Sequence, residues 1–280
     1  MAKVATPRVS VVMSAYNDAE TLPAAIESIL NQTFTEFEFI IVDDHSSDDS
    51  WKVIQEYAAK DARIVALRND QNLNICGALN RGISRARTPY IVRMDADDTS
   101  ELKRLEVQHA FMEAHPDVVI SGGTIMTCDE QLQPISERQY LLSNAEIRHK
   151  LFRYSPFCHA TTIYRTADFN QAGGYNPDLA SAEDYDLYFR LGRLGKLANV
   201  REHLYNVRFH GASISASQSR RQEKATLYIR LKAVAEYGYR MTAGDKLYLA
   251  AQYLSMFIIP QAWKPVSYTH LRAHETKANL

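Results

Sequence analysis

Apolar positions in the first hundred residues switch repeatedly between two periods. Val9 to Met13 is a short apolar run broken only by Ser10, and the segment from Ala19 to Asn31 then places Leu22, Ala25, Ile26, Ile29 and Leu30 on one helical face. Phe37 to Val42 reads as a second strand and ends in Asp43-Asp44. Val53, Ile54, Tyr57 and Ala58 follow at helical spacing, and Ile64 to Leu67 forms a third short run before an Asn-rich loop. A helix carrying Ala78, Leu79, Ile83 and Ala86 is stopped by Thr88-Pro89, just ahead of the strand Tyr90 to Met94. Four such alternations predict an α/β fold of Rossmann-like design, with a mostly parallel central sheet and helices on both faces.

From about residue 118 to 215 the pattern is more mixed. Short strands are expected at Val118 to Ile120, Thr161 to Tyr164 and Leu204 to Phe209, with helices near Glu146 to Arg153 and Asp184 to Leu194. No Pro- or Ser-rich linker interrupts the chain, so residues 7–215 are expected to form one domain, with a nucleotide-binding half at about 7–98 and an acceptor half at about 99–215. Residues 216–265 are expected to be a helical C-terminal extension, with Leu227, Tyr228, Leu231, Val234 and Ala235 as its apolar stripe. Leu247 to Ile259 is apolar apart from Gln252 and Ser255, yet shorter than the roughly 20 residues of a spanning helix. It is expected to pack as a core helix, with a helix lying on a membrane surface as the alternative. Residues 266–280 follow Pro260 and Pro265, lose periodicity and look like a translated sequencing-adapter peptide. They are read as a non-native tail and set aside.

Composition narrows the classes. Thirty-two Lys and Arg nearly balance 33 Asp and Glu, so no net field draws nucleic acid, and none is expected as a partner. Cys76, Cys128 and Cys158 lie far apart without a C-x-x-C pair, which suggests neither a disulfide framework nor a zinc knuckle. The first residues lack an apolar signal core. The expected location is therefore the cytoplasm, at most against the inner face of the membrane.

Polar clusters follow directly on three of the predicted strands. In parallel α/β sheets ligands bind beyond the C-terminal strand ends, where Ser14-Ala15-Tyr16-Asn17, Asp43-Asp44 and Asp95 to Asp98 are expected. Asp95 and Asp97, one residue apart on an extended segment, point the same way and suit a hard divalent cation, or a cation and a ribose. Asp98 is expected to cap the following helix. Ser47 to Ser50 are read as a helix cap, whereas Asp44 is placed for nucleotide contact. Glu183-Asp184 opens a helix, where the helix dipole alone favours acidic residues; in the functional alternative Asp184 is a general base free of the metal. Gly173-Gly174-Tyr175 reads as a turn. Val207 to His210 would end a strand with groups suited to a diphosphate.

Taken in order, Pro7 to Asn17, Val42 to Asp44, Asn72 to Gly82, Met94-Asp-Ala-Asp-Asp98, Gly173 to Tyr175 and Glu183 to Leu187 resemble the family 2 glycosyltransferases. The likeness spans roughly residues 7 to 215. It implies a GT-A fold and metal-dependent, inverting transfer of a sugar from a nucleotide-diphosphate donor, usually a UDP- or dTDP-sugar, to a sugar or lipid-linked acceptor. By matching positions, Ser14, Ala15, Tyr16 and Asn17 would line the nucleotide pocket, Asp44 would contact the base, and Asn74 would lie near the nucleotide. Asp95 would approach ribose or metal, Asp97 would hold Mg²⁺ or Mn²⁺, and Asp184 would be the catalytic base. A sugar-1-phosphate nucleotidyltransferase would instead carry a Gly-rich, Arg-containing loop after the first strand. A non-catalytic nucleotide-sugar binder would have no need of Asp184.

Overall fold

In a computed structural model the described residues are 6–179, 181–209 and 219–258. They divide into two compact units, one within Met1–Leu179 and Glu183–His210, the other within Ala180–Ala182 and Gly211–Leu280.

The first unit is built on nine strands in the order β3-β2-β1-β4-β8-β6-β9-β5, with β7 paired to β6. Strands β1 (Val9–Ala15), β2 (Phe37–Asp43), β3 (Ile64–Arg68) and β4 (Tyr90–Asp95) run parallel and alternate with α1 (Leu22–Leu30), α2 (Ser50–Lys60) and α3 (Asn74–Ile83). Every residue of β2 is buried, as expected of a strand covered on both faces. The α1 face is buried as its spacing requires, at Leu22, Ala25, Ile26 and Ile29. The helix starts at Leu22, because the Asp18 carbonyl accepts the Thr21 and Leu22 N–H groups in a turn. Helix α3 lies tight on the sheet: a Cβ at Gly82 would come within 2.6 Å of Val12 Cγ1 and 3.0 Å of Val42 Cγ2.

Beyond β4 the sheet becomes mixed. It includes β5 (Thr99–Ser100), β6 (Val118–Cys128), β7 (Pro134–Arg138), β8 (Ile163–Arg165) and β9 (Lys196–Arg208), interleaved with α4 (Arg104–Ala114), α5 (Asn144–Lys150), α6 (Thr166–Gln171) and α7 (Glu183–Leu191). Two expectations fall short here. Strand β6 runs far past Ile120, because Ser121-Gly122-Gly123 continues it in a bulged pairing with β9. A Cβ at Gly123 would stand 2.4 Å from Leu204 Cδ1, so glycine lets the two backbones approach. Strand β9 likewise starts well before Leu204.

The second unit holds α8 (Ser219–Ala235) and α9 (Ala243–Ile258). Of the stripe expected on α8 only Leu227 is buried: Tyr228, Leu231, Val234 and Ala235 are exposed, and Ile229, Arg230 and Ala233 are buried instead. Helix α9 is no core helix either, because Leu247, Leu254, Phe257 and Ile258 face solvent and Asp245 and Gln252 are its buried residues. Among the described residues no helix is long and apolar enough to cross a membrane. Residues 259–280, including the adapter-like tail, lie outside the described residues.

Candidate active site

Strand register brings the polar clusters together. Ser14 is aligned with Val42 on one side and Asp95 on the other, and Ala15 with Asp43, so β1, β2 and β4 end side by side. The loops that leave them are laced to each other. Asn17 N–H donates to Ser46 Oγ (3.0 Å), Asp18 N–H to Ser50 Oγ (2.9 Å), and Ser47 N–H to Asn17 Oδ1 (2.8 Å). Asn17 adopts a left-handed backbone, φ 59°, to make this turn. Tyr16 stands at the loop tip with 51% of its surface exposed, an aromatic ring left without cover.

Asp44 is buried and its Oδ1 accepts from Asn69 Nδ2 (2.5 Å) and from the Leu73 N–H (2.8 Å), which fixes the loop that leads to Asn74. Asn74 opens α3, exposed and with φ 58°. Asp43 pairs with Arg68 Nε at 3.0 Å and leaves its other carboxylate oxygen buried without a hydrogen-bond partner among the described residues.

Asp95, Asp97 and Asp98 each offer an oxygen within 4.8 Å of the others. Two oxygens on one Mg²⁺ can stand up to about 4.2 Å apart, so small side-chain adjustments would seat one ion. Charge points the same way. Burial and the neighbouring Asp95 and Asp97 raise Asp98 well above the usual carboxylate range. Burial also raises Asp95, against the pull of Arg93, with Asp97 adding to the rise. A cation would relieve this repulsion, and an all-oxygen carboxylate set suits Mg²⁺ or Mn²⁺. Asp98 does not cap the next helix. Its Oδ1 accepts the Arg208 N–H at 2.7 Å, tying the cluster to β9, and α4 begins only at Arg104. Arg208 is itself spent on backbone carbonyls, those of Asp97 (2.9 Å) and Glu130. His210 lies outside the described residues.

Four further groups escaped the sequence reading. Arg93, buried in β4, pairs with Asp95; burial pulls its guanidinium down and the Asp95 carboxylate more than reverses this. A cation inside an apolar strand was the available signal, since a buried charge requires a partner. Arg104, fully buried, donates to Gln108 Oε1 (3.0 Å), Ser100 Oγ (2.9 Å) and the carbonyls of Arg93 (2.7 Å) and Ala160 (2.8 Å). Tyr205 accepts the Asp95 N–H at 3.0 Å. Asp18 is raised to about 6, by burial first and then by Asp97 and Asp95, which places it in the field of the β4 carboxylates.

Across from β4, α7 opens with Glu183 and Asp184, both half-buried. Burial raises Asp184, while the Tyr185 N–H and Arg93 draw it back. Glu183 is raised to about 7, by burial and then by Asp184, with a smaller push from Asp95. The acidic turn of α7 thus lies within electrostatic reach of Arg93 and Asp95. The Gly173-Gly174 pair turns left-handed and delivers Tyr175, whose N–H and C=O are held by the Asn80 amide at 3.0 and 2.7 Å. Beneath, Tyr175 hydroxyl meets His159 Nε2 (2.7 Å) and Tyr164 hydroxyl (3.2 Å). Burial, with Arg93 nearby, holds His159 well below the ordinary imidazole range, so it is neutral there.

A family model described as Glycosyl transferase family 2 matches residues 10–172. The amylovoran biosynthesis glycosyltransferase AmsE of Erwinia amylovora is 34% identical, covering 71% of this chain and 75% of its own. WfaP of Escherichia coli, a UDP-Glc:alpha-D-GlcNAc-diphosphoundecaprenol beta-1,3-glucosyltransferase, is 29% identical over 80% of this chain and 88% of its own. Among solved structures, Staphylococcus aureus TarS 1-349 in complex with UDP-GlcNAc superposes with a TM-score of 0.69 at 18% identity, covering 91% of this chain and 74% of that one. Mannosyltransferase PcManGT of Pyrobaculum calidifontis, in complex with GDP-Man and Mn2+, gives 0.65 at 15% identity, over 95% and 80%.

Proposed function

The chain belongs to glycosyl transferase family 2, and on that premise we propose an inverting hexosyl transfer from a UDP- or dTDP-sugar to a hydroxyl of a sugar or lipid-linked acceptor. The pathway would be cell-surface polysaccharide or glycolipid synthesis, carried out at the inner face of the cell membrane. The observation that carries this reading is the pairing of two acidic groups at one end of the sheet. Asp95, Asp97 and Asp98 cluster at the end of β4, and Glu183-Asp184 opens α7 within their field.

Each residue then has a task. Ser14, Ala15, Tyr16 and Asn17 line the nucleotide side, with the exposed Tyr16 ring free to cover a base. Asp44 contacts the base from a loop it already anchors, and Asn74 borders the nucleotide. Asp95 approaches ribose or metal and Asp97 ligates the cation. A bound Mg²⁺ or Mn²⁺ would neutralise the charge that develops on the departing diphosphate. Asp184 takes the proton from the acceptor hydroxyl, which attacks the anomeric carbon on the face opposite the leaving group and so inverts it. Support for this assignment comes from the UDP-GlcNAc bound by TarS and the Mn²⁺ bound by PcManGT, two proteins of similar fold.

The test is to screen nucleotide sugars with Mn²⁺ for thermal stabilisation, and then to assay transfer in wild type and Asp184→Asn. A UDP- or dTDP-sugar is expected to raise the melting point of both proteins. Turnover in the variant should drop by about 100- to 10,000-fold, the usual worth of general-base help. A variant that binds donor and still transfers at near-normal rate removes Asp184 from the base role, and stabilisation by GDP-sugars alone overturns the donor assignment.

A further inference from the structure

The carboxylate of Asp44 is held by a chain of side chains that ends on α3. Asn69 follows β3 directly and is buried. Its Nδ2 donates to Asp44 Oδ1 (2.5 Å), and its Oδ1 accepts from Arg81 (2.5 Å), a half-buried residue in the last turn of α3. The backbone of Asn69 is fixed as well: its N–H donates to the Asp43 carbonyl (2.8 Å), one step past the β2–β3 pairing, and its own carbonyl faces His45 Nδ1 (3.4 Å). Chemistry sets the order of the chain. A guanidinium only donates and a carboxylate only accepts, so the amide between them must turn its oxygen to Arg81 and its nitrogen to Asp44. Each bond polarises the amide in favour of the other, and burial keeps water from competing.

Two features make this chain more than a filler of space. The Leu73 N–H also donates to Asp44 Oδ1 (2.8 Å), so among the described residues both hydrogen bonds to the carboxylate fall on one oxygen. Its rotation is thereby fixed, and Oδ2 is the acceptor left for a ligand. The backbone of Asp44 is tied too, its N–H donating to the Ala15 carbonyl of β1 (2.8 Å) and its own carbonyl accepting from Asn72 Nδ2 (3.2 Å). Second, among the described residues Arg81 makes no ion pair with Asp44 and acts on it only through the amide. The cation therefore orients the carboxylate without occupying its second oxygen.

We propose that Asn69 and Arg81 are positioning residues for base recognition, which aim Asp44 Oδ2 at a ring N–H of the donor's base. The proposal rests on the nucleotide-sugar reading of this site and adds what enforces its choice of base. A fixed acceptor discriminates by chemistry. Uracil and thymine carry a hydrogen on N3, where cytosine has a lone pair, and guanine carries one on N1, where adenine has a lone pair. Facing cytosine or adenine, Oδ2 meets a lone pair and is left unpaired, which costs binding. A carboxylate free to rotate could turn instead to the neighbouring exocyclic amino group, and the discrimination would be lost.

The test compares bases within each protein and needs no turnover. Dissociation constants of UDP and CDP, and of GDP and ADP, are measured with Mn²⁺ by calorimetry for the full chain, Asn69→Ala and Arg81→Met. Wild type is expected to bind UDP at least about tenfold more tightly than CDP, and each variant to lose about that factor, the order set by leaving one buried acceptor unpaired. A merely structural role would weaken UDP and CDP alike and leave their ratio unchanged. In an Asp44→Ala background neither substitution should move the ratio further, because the group they position is gone. Arg81 is only half-buried, so Arg81→Met carries the test should Asn69→Ala fail to fold. A wild-type ratio kept in the folded variants overturns the proposal and leaves the donor reading standing, and so does a wild type that binds UDP and CDP equally. If wild type prefers GDP to UDP, the UDP or dTDP assignment falls, and the GDP to ADP ratio then decides the roles of Asn69 and Arg81 by the same criterion. A wild type that binds none of the four overturns both.

Discussion

Burial raises both carboxyls at the start of α7, and Glu183 shows what that does to stability. Glu183 is raised to about 7 from an ordinary 4.5, so the folded chain holds its proton more tightly than the unfolded one does. Its ionisation therefore detracts from stability as pH rises from about 4.5 through 7. Glu183→Gln removes that dependence. The variant is expected to melt higher than wild type at about pH 8, with the advantage shrinking as pH falls to about 5. Melting curves at several pH values in metal-free buffer check this, and a gap that grows on acidification would refute it. The acidic motif was legible as a sequence. That burial pushes Glu183 up to about 7 was not, because desolvation depends on what the fold packs over α7.

At the scale of elements, Arg104 shows how α4 holds the floor of the site. Its guanidinium joins α4 to the backbone of β4 at Arg93 and to Ala160 in the short 3₁₀ helix His159–Thr161, and adds the side chain of Ser100 from β5. Among the described residues it faces no carboxylate at hydrogen-bonding distance, and burial lowers it to about 10. A methionine would fill the volume but leave two buried carbonyls without donors, at about 1–3 kcal/mol each. Arg104→Met is expected to lose about 3 kcal/mol in urea unfolding. A loss under about 1 kcal/mol would show that water or repacking satisfies those carbonyls. The parallel half, β1 to β4 with α1 to α3, followed from periodicity because both of its periods are long and clean. Strands β6 and β9 did not, because their bulged pairing joins residues some eighty positions apart.

For the whole molecule, the β4 carboxylates hold more negative charge than their surroundings balance, so a divalent cation should stabilise the entire fold. Adding Mn²⁺ with its nucleotide-sugar donor raises stability by mass action, about 2.7 kcal/mol when the ligand stands at a hundred times its Kd. Chelation should reverse the gain in wild type and have little effect in Asp97→Asn. Differential scanning fluorimetry with and without EDTA makes the comparison, and an Asp97→Asn protein with the full wild-type response would move the cation elsewhere.

The sequence by itself determined the alternation of strands and helices, the convergence of three polar loops on one sheet edge, and the acidic positions that carry the family resemblance. These are local matters, set by side-chain period and by what each strand ends in. Only the tertiary structure decided that Asp98 is tied to β9, that Arg93 lies buried against Asp95 within electrostatic reach of the α7 acids, and that α8 and α9 leave large apolar residues exposed. Each depends on partners distant in the chain. Burial and pairing belong to the neighbours a residue acquires on folding, and hydrophobic periodicity records only which side is apolar, not which way it faces.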